Sequence, residues 1–88
     1  MPGNVKLNGT IVEKDPRSPF EASPNDGLYL LTEDQQLLAL VTDFMATQMA
    51  TEQLHRQSRP AFEPYIGKQV SVEGYLSGST LWNAMIVD

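Results

Sequence analysis

The sequence predicts an all-β barrel with one helix, and three observations carry that prediction. Two stretches, "VKLNGTIVEK" at 5–14 and "QVSVEGYLS" at 69–77, alternate apolar and polar residues with the period of a half-buried strand. Each sets a glycine, Gly9 or Gly74, on its apolar phase, where a missing side chain lets a barrel strand bend or a facing backbone come close. The third observation is length. A chain of 88 residues makes one domain, 1–88, with a thin core, and closing a sheet on itself is an economical way to build one.

The elements follow in order. In the first strand Val5, Leu7, Gly9 and Ile11 share the inner face, and Lys6, Asn8 and Thr10 the outer. Residues 15–27, "DPRSPFEASPNDG", hold Pro16, Pro19 and Pro24 and end in Asn-Asp-Gly, which predicts a long exposed loop. Residues 28–32 and 37–42 form a hairpin with Glu33, Asp34 and Gln35 in its turn. The segment 43–59 is rich in Ala, Met, Gln and Leu and reads as a helix started by Thr42 or Asp43. Its apolar residues do not align: Met45 and Met49 share a face from which Phe44 and Leu54 diverge. Pro60 and Pro64 bound a turn-like lead-in, with Phe62, Tyr65 and Ile66 expected to plug the bottom of the core. Two last strands, 69–77 and 80–87, are joined by a tight turn in which Gly78 takes a positive φ. In the final strand two faces compete: Leu81, Asn83, Met85 and Val87, or Trp82, Ala84 and Ile86. Burying Asn83 is costly, which favours the second as the core face.

The resulting order, β-β-β-α-β-β, is that of an OB-fold, a five-stranded, partly open Greek-key barrel with a helix between its third and fourth strands. The stretch "YIGKQVSVEGYLSGSTLWNAMI" resembles the last two strands of small bacterial OB-fold domains, where a loop ending Gly-Lys precedes Val-x-Val-x-Gly, a short turn and a closing strand. Gly67, Lys68, Val70, Val72, Gly74, Leu81 and Ile86 carry the resemblance, and "VKLNGTIVE" is similar to the first strand of the same group. The resemblance implies binding of oligonucleotides, oligosaccharides or proteins on the face of strands two and three, flanked by the loops after strands one and four. Here the first of those loops is long and the second is a bare hairpin turn, a departure from the two-loop clamp.

Charge and composition narrow the function. Against 11 Asp+Glu stand 6 Lys+Arg, a net charge of -5. Nucleic-acid affinity rests largely on neutralised phosphates, so this balance disfavours it, and net negative charge also serves solubility. With 0 Cys, a disulfide framework, a thiolate zinc site and a cysteine nucleophile are excluded. No stretch approaches the ~20 apolar residues of a membrane span. The start "MPGNVKLNG" has no apolar signal core, which favours a cytoplasmic location. His55, with Glu52 three residues before it, lacks a third ligand for a metal and reads as part of a solvated helix face. Ser77 and Ser79 flank a turn glycine without a base in sequence, Glu33 and Asp34 belong to a turn, and Gly67-Lys68 lacks the rest of a phosphate loop.

The expectation is therefore a non-enzymatic binding module with no catalytic residue, metal or cofactor. Protein–protein interaction or assembly is favoured, with a homodimer as one form of it. Its candidate binding residues are Phe20, Tyr29, Phe44, Met45, Met49 and Tyr75: an aromatic in a proline-rich loop, an unaligned Met-rich helix and two outward tyrosines. The alternative is single-stranded nucleic acid or oligosaccharide on the face of strands two and three. It would use Lys6, Lys14, Arg17, Tyr29 and Tyr75, rings for stacking beside cations.

Overall fold

The computed structural model describes residues 4–14, 17, 19, 26–43 and 51–87. Five strands, β1 (Asn4–Val12), β2 (Tyr29–Thr32), β3 (Leu37–Leu40), β4 (Gln69–Ser77) and β5 (Thr80–Ile86), close in the order β1-β2-β3-β5-β4. β1 serves two neighbours: Asn4 to Thr10 pair with β4, and Gly9 to Val12 with β2, both antiparallel. A short parallel contact, Ala39 with Thr80 and Leu40 with Leu81, closes the wall between β3 and β5. With helical segments between β3 and β4, this is the OB-type barrel that the element order predicts.

The core is the inward phase of all five strands, with Ile11, Leu28, Leu30, Leu38, Leu40, Val70, Val72, Leu81 and Ala84 buried around Phe62. Each Ile, Leu or Val among them contributes roughly 1.5–3 kcal/mol on full burial. Phe62 is the plug the sequence suggests, with Tyr65 and Ile66 packed against the same cluster. The inward glycines are required by backbone approach. A Cβ on Gly9 would lie 2.4 Å from the Leu31 carbonyl oxygen, and one on Gly74 2.6 Å from that of Trp82.

The β5 ambiguity is resolved by using both phases. Pairing with β4 slips between Glu73 and Tyr75, and Asn83 takes φ of 53° as an exposed bulge residue. An extra residue lets a strand change phase. Leu81 and Ala84 thus both reach the main core, with Ile86 packed against it, while Trp82 is buried in a second cluster with Val41 and Leu54.

The helical segments are α1 (Thr51–Gln57), α2 (Arg59–Phe62) and a 3-10 turn, Glu63–Tyr65. Helix therefore continues where a boundary at Pro60 is expected. Pro60 falls in the first turn of α2, where its missing N–H would have had no partner anyway, and Pro64 opens the 3-10 turn likewise. Ser58 is the joint between α1 and α2. Its hydroxyl donates to the Leu54 carbonyl at 2.8 Å and accepts the Thr42 amide at 2.9 Å, tying the end of β3 to the helix. The expected helical residues 44–50 lie outside the described residues.

Candidate binding face

Strand alternation turns Thr10 and Val12 of β1, Tyr29 and Leu31 of β2, and Leu37 and Ala39 of β3 outward. Pairing aligns them in two rows across three strands, Thr10–Leu31–Leu37 and Val12–Tyr29–Ala39. All six are half-buried, and none belongs to either core cluster. The result is an apolar sheet face without a charged side chain in either row.

Helix α1 borders this face at the Tyr29 end. His55 is buried, and its Nε2 lies 2.7 Å from the Leu28 carbonyl oxygen. A carbonyl only accepts, so Nε2 carries the proton and donates. The His55 ring meets Tyr29 edge to face, with centroids 4.7 Å apart. This corrects the reading of His55 as part of a solvated helix face. The reason is Gly27: a Cβ there would sit 2.4 Å from His55 Cδ2, so only a glycine lets the helix lie this close.

Asp26, Gly27, Tyr29, Glu52, His55 and Arg56 line a recess of about 220 Å³ beside the face. Glu52 and Arg56 pair across one helical turn at 3.5 Å, both exposed. Burial raises the pKa of the Tyr29 hydroxyl above its ordinary value, and the nearby Asp26 and Glu52 carboxylates push it further up.

Arg59 holds this corner together. Its Nε donates to Glu63 at 2.7 Å, Nη1 to the Asp26 carbonyl at 2.8 Å and Nη2 to Glu13 at 2.7 Å, with the side chain only 11% exposed. Both carboxylates raise its pKa, Glu63 foremost. One guanidinium thus joins the end of β1, the lead-in to β2 and α2.

The opposite side of β1 is polar. Lys6 stands across from Glu73, Asn8 from Ser71, and Asn4 from Tyr75 on β4. The Ser71 hydroxyl donates to Asn8 Oδ1 at 2.6 Å. A recess of about 310 Å³ is lined there by Asn8, Glu33, Gln69, Val70 and Ser71.

Of the residues expected to bind, Tyr29 lies on the apolar face. Tyr75 pairs at the other end of β1 and packs against the Val41, Leu54 and Trp82 cluster. Lys6 belongs to the β1–β4 side, Lys14 follows the end of β1, and Arg17 is exposed. Lys6 and Tyr75 thus share the outward phase of the β1–β4 pair, and Tyr29 stands on β2 opposite Val12. Phe20, Phe44, Met45 and Met49 lie outside the described residues. Val12, Leu31, Leu37 and Ala39 are the residues that sequence reasoning passed over. A signal for Leu31, Leu37 and Ala39 existed: "LYLLTEDQQLLAL" is apolar on both strand phases, where a one-sided strand alternates.

Among the described residues no group of three or more Asp, Glu or His side chains is placed to hold a metal ion, and no helix is long and apolar enough to cross a membrane. Compared with known proteins, the chain matches no family model, no curated protein and no solved structure.

Proposed function

We propose that this domain is a non-enzymatic protein-interaction or assembly module that receives partners on the outer face of β1, β2 and β3. One observation carries the reading. The two outward rows hold Val12, Leu31, Leu37, Ala39, Tyr29 and Thr10, contiguous across three strands and free of charge. Interface centres are depleted in charge and rich in apolar and aromatic groups, whereas a single-strand groove needs cations along the backbone path. The patch also occupies the face that the resemblance to OB-fold domains marks for ligands.

Membership of the small bacterial OB-fold group belongs to the same proposal. It is supported by the placement of the motif residues. Gly67, at φ 81°, donates its amide to the Ile11 carbonyl at 2.7 Å, and Lys68 then leads into β4, with Gly74 at its slip in register.

Light scattering over a range of concentrations, alone and with mixed-sequence single-stranded DNA at low salt, tests the function. The expected result is no gain in mass with DNA, and any rise in mass with protein concentration should be abolished by Leu37→Glu. Low salt favours weak electrostatic binding, so a gain in mass with DNA under those conditions overturns the reading.

A further inference from the structure

The apolar face has an acidic border at both ends of its strands. Beyond Leu31 and Thr10, exposed Glu33 lines a recess with Asn8, and Asp34 follows it in the β2–β3 turn. Beyond Tyr29, Asp26 and Glu52 share a recess with one cation, Arg56, and both carboxylates raise the Tyr29 pKa. Arg59 at that corner is taken up by Glu13 and Glu63, and Lys14 follows Glu13 at the end of β1. The apolar rows thus run between carboxylates at both ends of their strands, with Glu52 at the Tyr29 end paired to Arg56.

We propose that the occupant of this face is an amphipathic helix of a partner protein whose apolar stripe is flanked by Lys or Arg. This rests on the interaction reading above and names the partner's chemistry. The dimensions agree. Three strands spaced ~4.8 Å apart span roughly 10 Å, about the rise of seven helical residues at ~1.5 Å each. A helix laid across the strands sets residues i, i+3, i+4 and i+7 on the rows. Its two flanks then lie over the two ends of the strands, where Glu33 and Asp34 stand on one side and Asp26 and Glu52 on the other. Charge complementarity of this kind selects partners and orients them more than it adds affinity.

The test uses three synthetic helices of about four turns, built of Leu with Lys, Leu with Gln, or Leu with Glu. Each is titrated into the isotope-labelled protein at about 150 mM salt, where charges beyond ~8 Å are screened. The Leu–Lys helix should shift the amides of Thr10 to Val12, Tyr29 to Leu31 and Leu37 to Ala39. The Leu–Gln helix should bind there roughly tenfold or more weakly, and the Leu–Glu helix not at all. Leu37→Glu should abolish the shifts, the pair Glu33→Gln and Glu52→Gln should weaken Leu–Lys binding several-fold, and Glu73→Gln on the other side should leave it unchanged. Equal binding of the Leu–Gln helix at the same amides overturns the basic-partner proposal while leaving the interaction face intact. An equal loss in Glu73→Gln overturns the proposal too, as attraction to net charge alone. Shifts confined to β4 and β5 overturn both readings. So does the absence of any shift in a protein that remains folded.

Discussion

The two outer walls that share β1 differ in chemistry although they do the same structural work. On the β4 side, outward positions are Lys6 against Glu73 and Asn8 against Ser71, with Met85 the exposed apolar neighbour on β5. On the β2–β3 side, outward positions are Thr10, Val12, Leu31, Leu37 and Ala39 with Tyr29. On the β4 side the outward phase is polar along Lys6, Asn8, Ser71 and Glu73, while Tyr75 packs against Val41, Leu54 and Trp82. The half-buried aliphatic residues on the outward phase of the other wall are the feature on which the interaction proposal rests. Scattered surface hydrophobics are ordinary, but a contiguous patch marks a contact.

The comparison can be broken or sharpened by experiment. The largest effect is expected in the polar wall, where Gly74→Val drives a side chain into the Trp82 carbonyl, 2.6 Å from the Cβ position. A loss of about 3 kcal/mol, the upper range of overpacking, should lower Tm by more than ~10 °C. An unchanged melt would show that the slip between β4 and β5 does not demand glycine.

Arg59→Met should remove about 2 kcal/mol, since three charge-assisted hydrogen bonds are lost but Glu13 and Glu63 regain water. Chemical denaturation measures it. A neutral result would mean that the corner under the apolar face is held by α1 packing on Gly27 alone.

Leu37→Glu and Met85→Glu place the same charge on the two walls. Each should change stability by less than about 1 kcal/mol, because both positions are outward. Only the first should alter association in light scattering. Equal behaviour of the two variants would erase the distinction between the walls.

The smallest effect is expected from Tyr29→Phe. The folded-state pKa of Tyr29 lies above its ordinary 10.0, so the unfolded chain releases its proton first as pH rises. The stability contributed by this group is full below about pH 10 and is lost as pH climbs through the folded value. Thermal melts between pH 8 and 11 should show the wild type losing more stability than Tyr29→Phe, with the two alike at the lower end.

Much of the fold was legible in the sequence because its signals are local. The alternation around Gly9 and Gly74 marks β1 and β4, and the Ser-Gly-Ser turn marks the β4–β5 hairpin, with Gly78 at φ 62°. Less local features were not legible. The turn after β2 uses Gln35 at φ 69° in place of a glycine, held by the Thr32 hydroxyl bonds to Asp34 and to the Gln36 amide. His55 gave no sign of burial, since Gly27 and the Leu28 carbonyl that receive it lie 27 or more residues away. Arg59, outwardly a surface cation after a helix, is committed to Glu13 across 46 residues.

By itself the sequence determined that this chain closes a five-stranded barrel, because period-two alternation and inward glycines constrain a strand through its own neighbours. Only the tertiary structure decided which outward residues meet. Register across β1, β2 and β3 assembles Val12, Leu31, Leu37 and Ala39 into one face, and the bulge at Asn83 divides Trp82 from the barrel core. Both depend on which strands lie side by side, a long-range fact that no local period encodes.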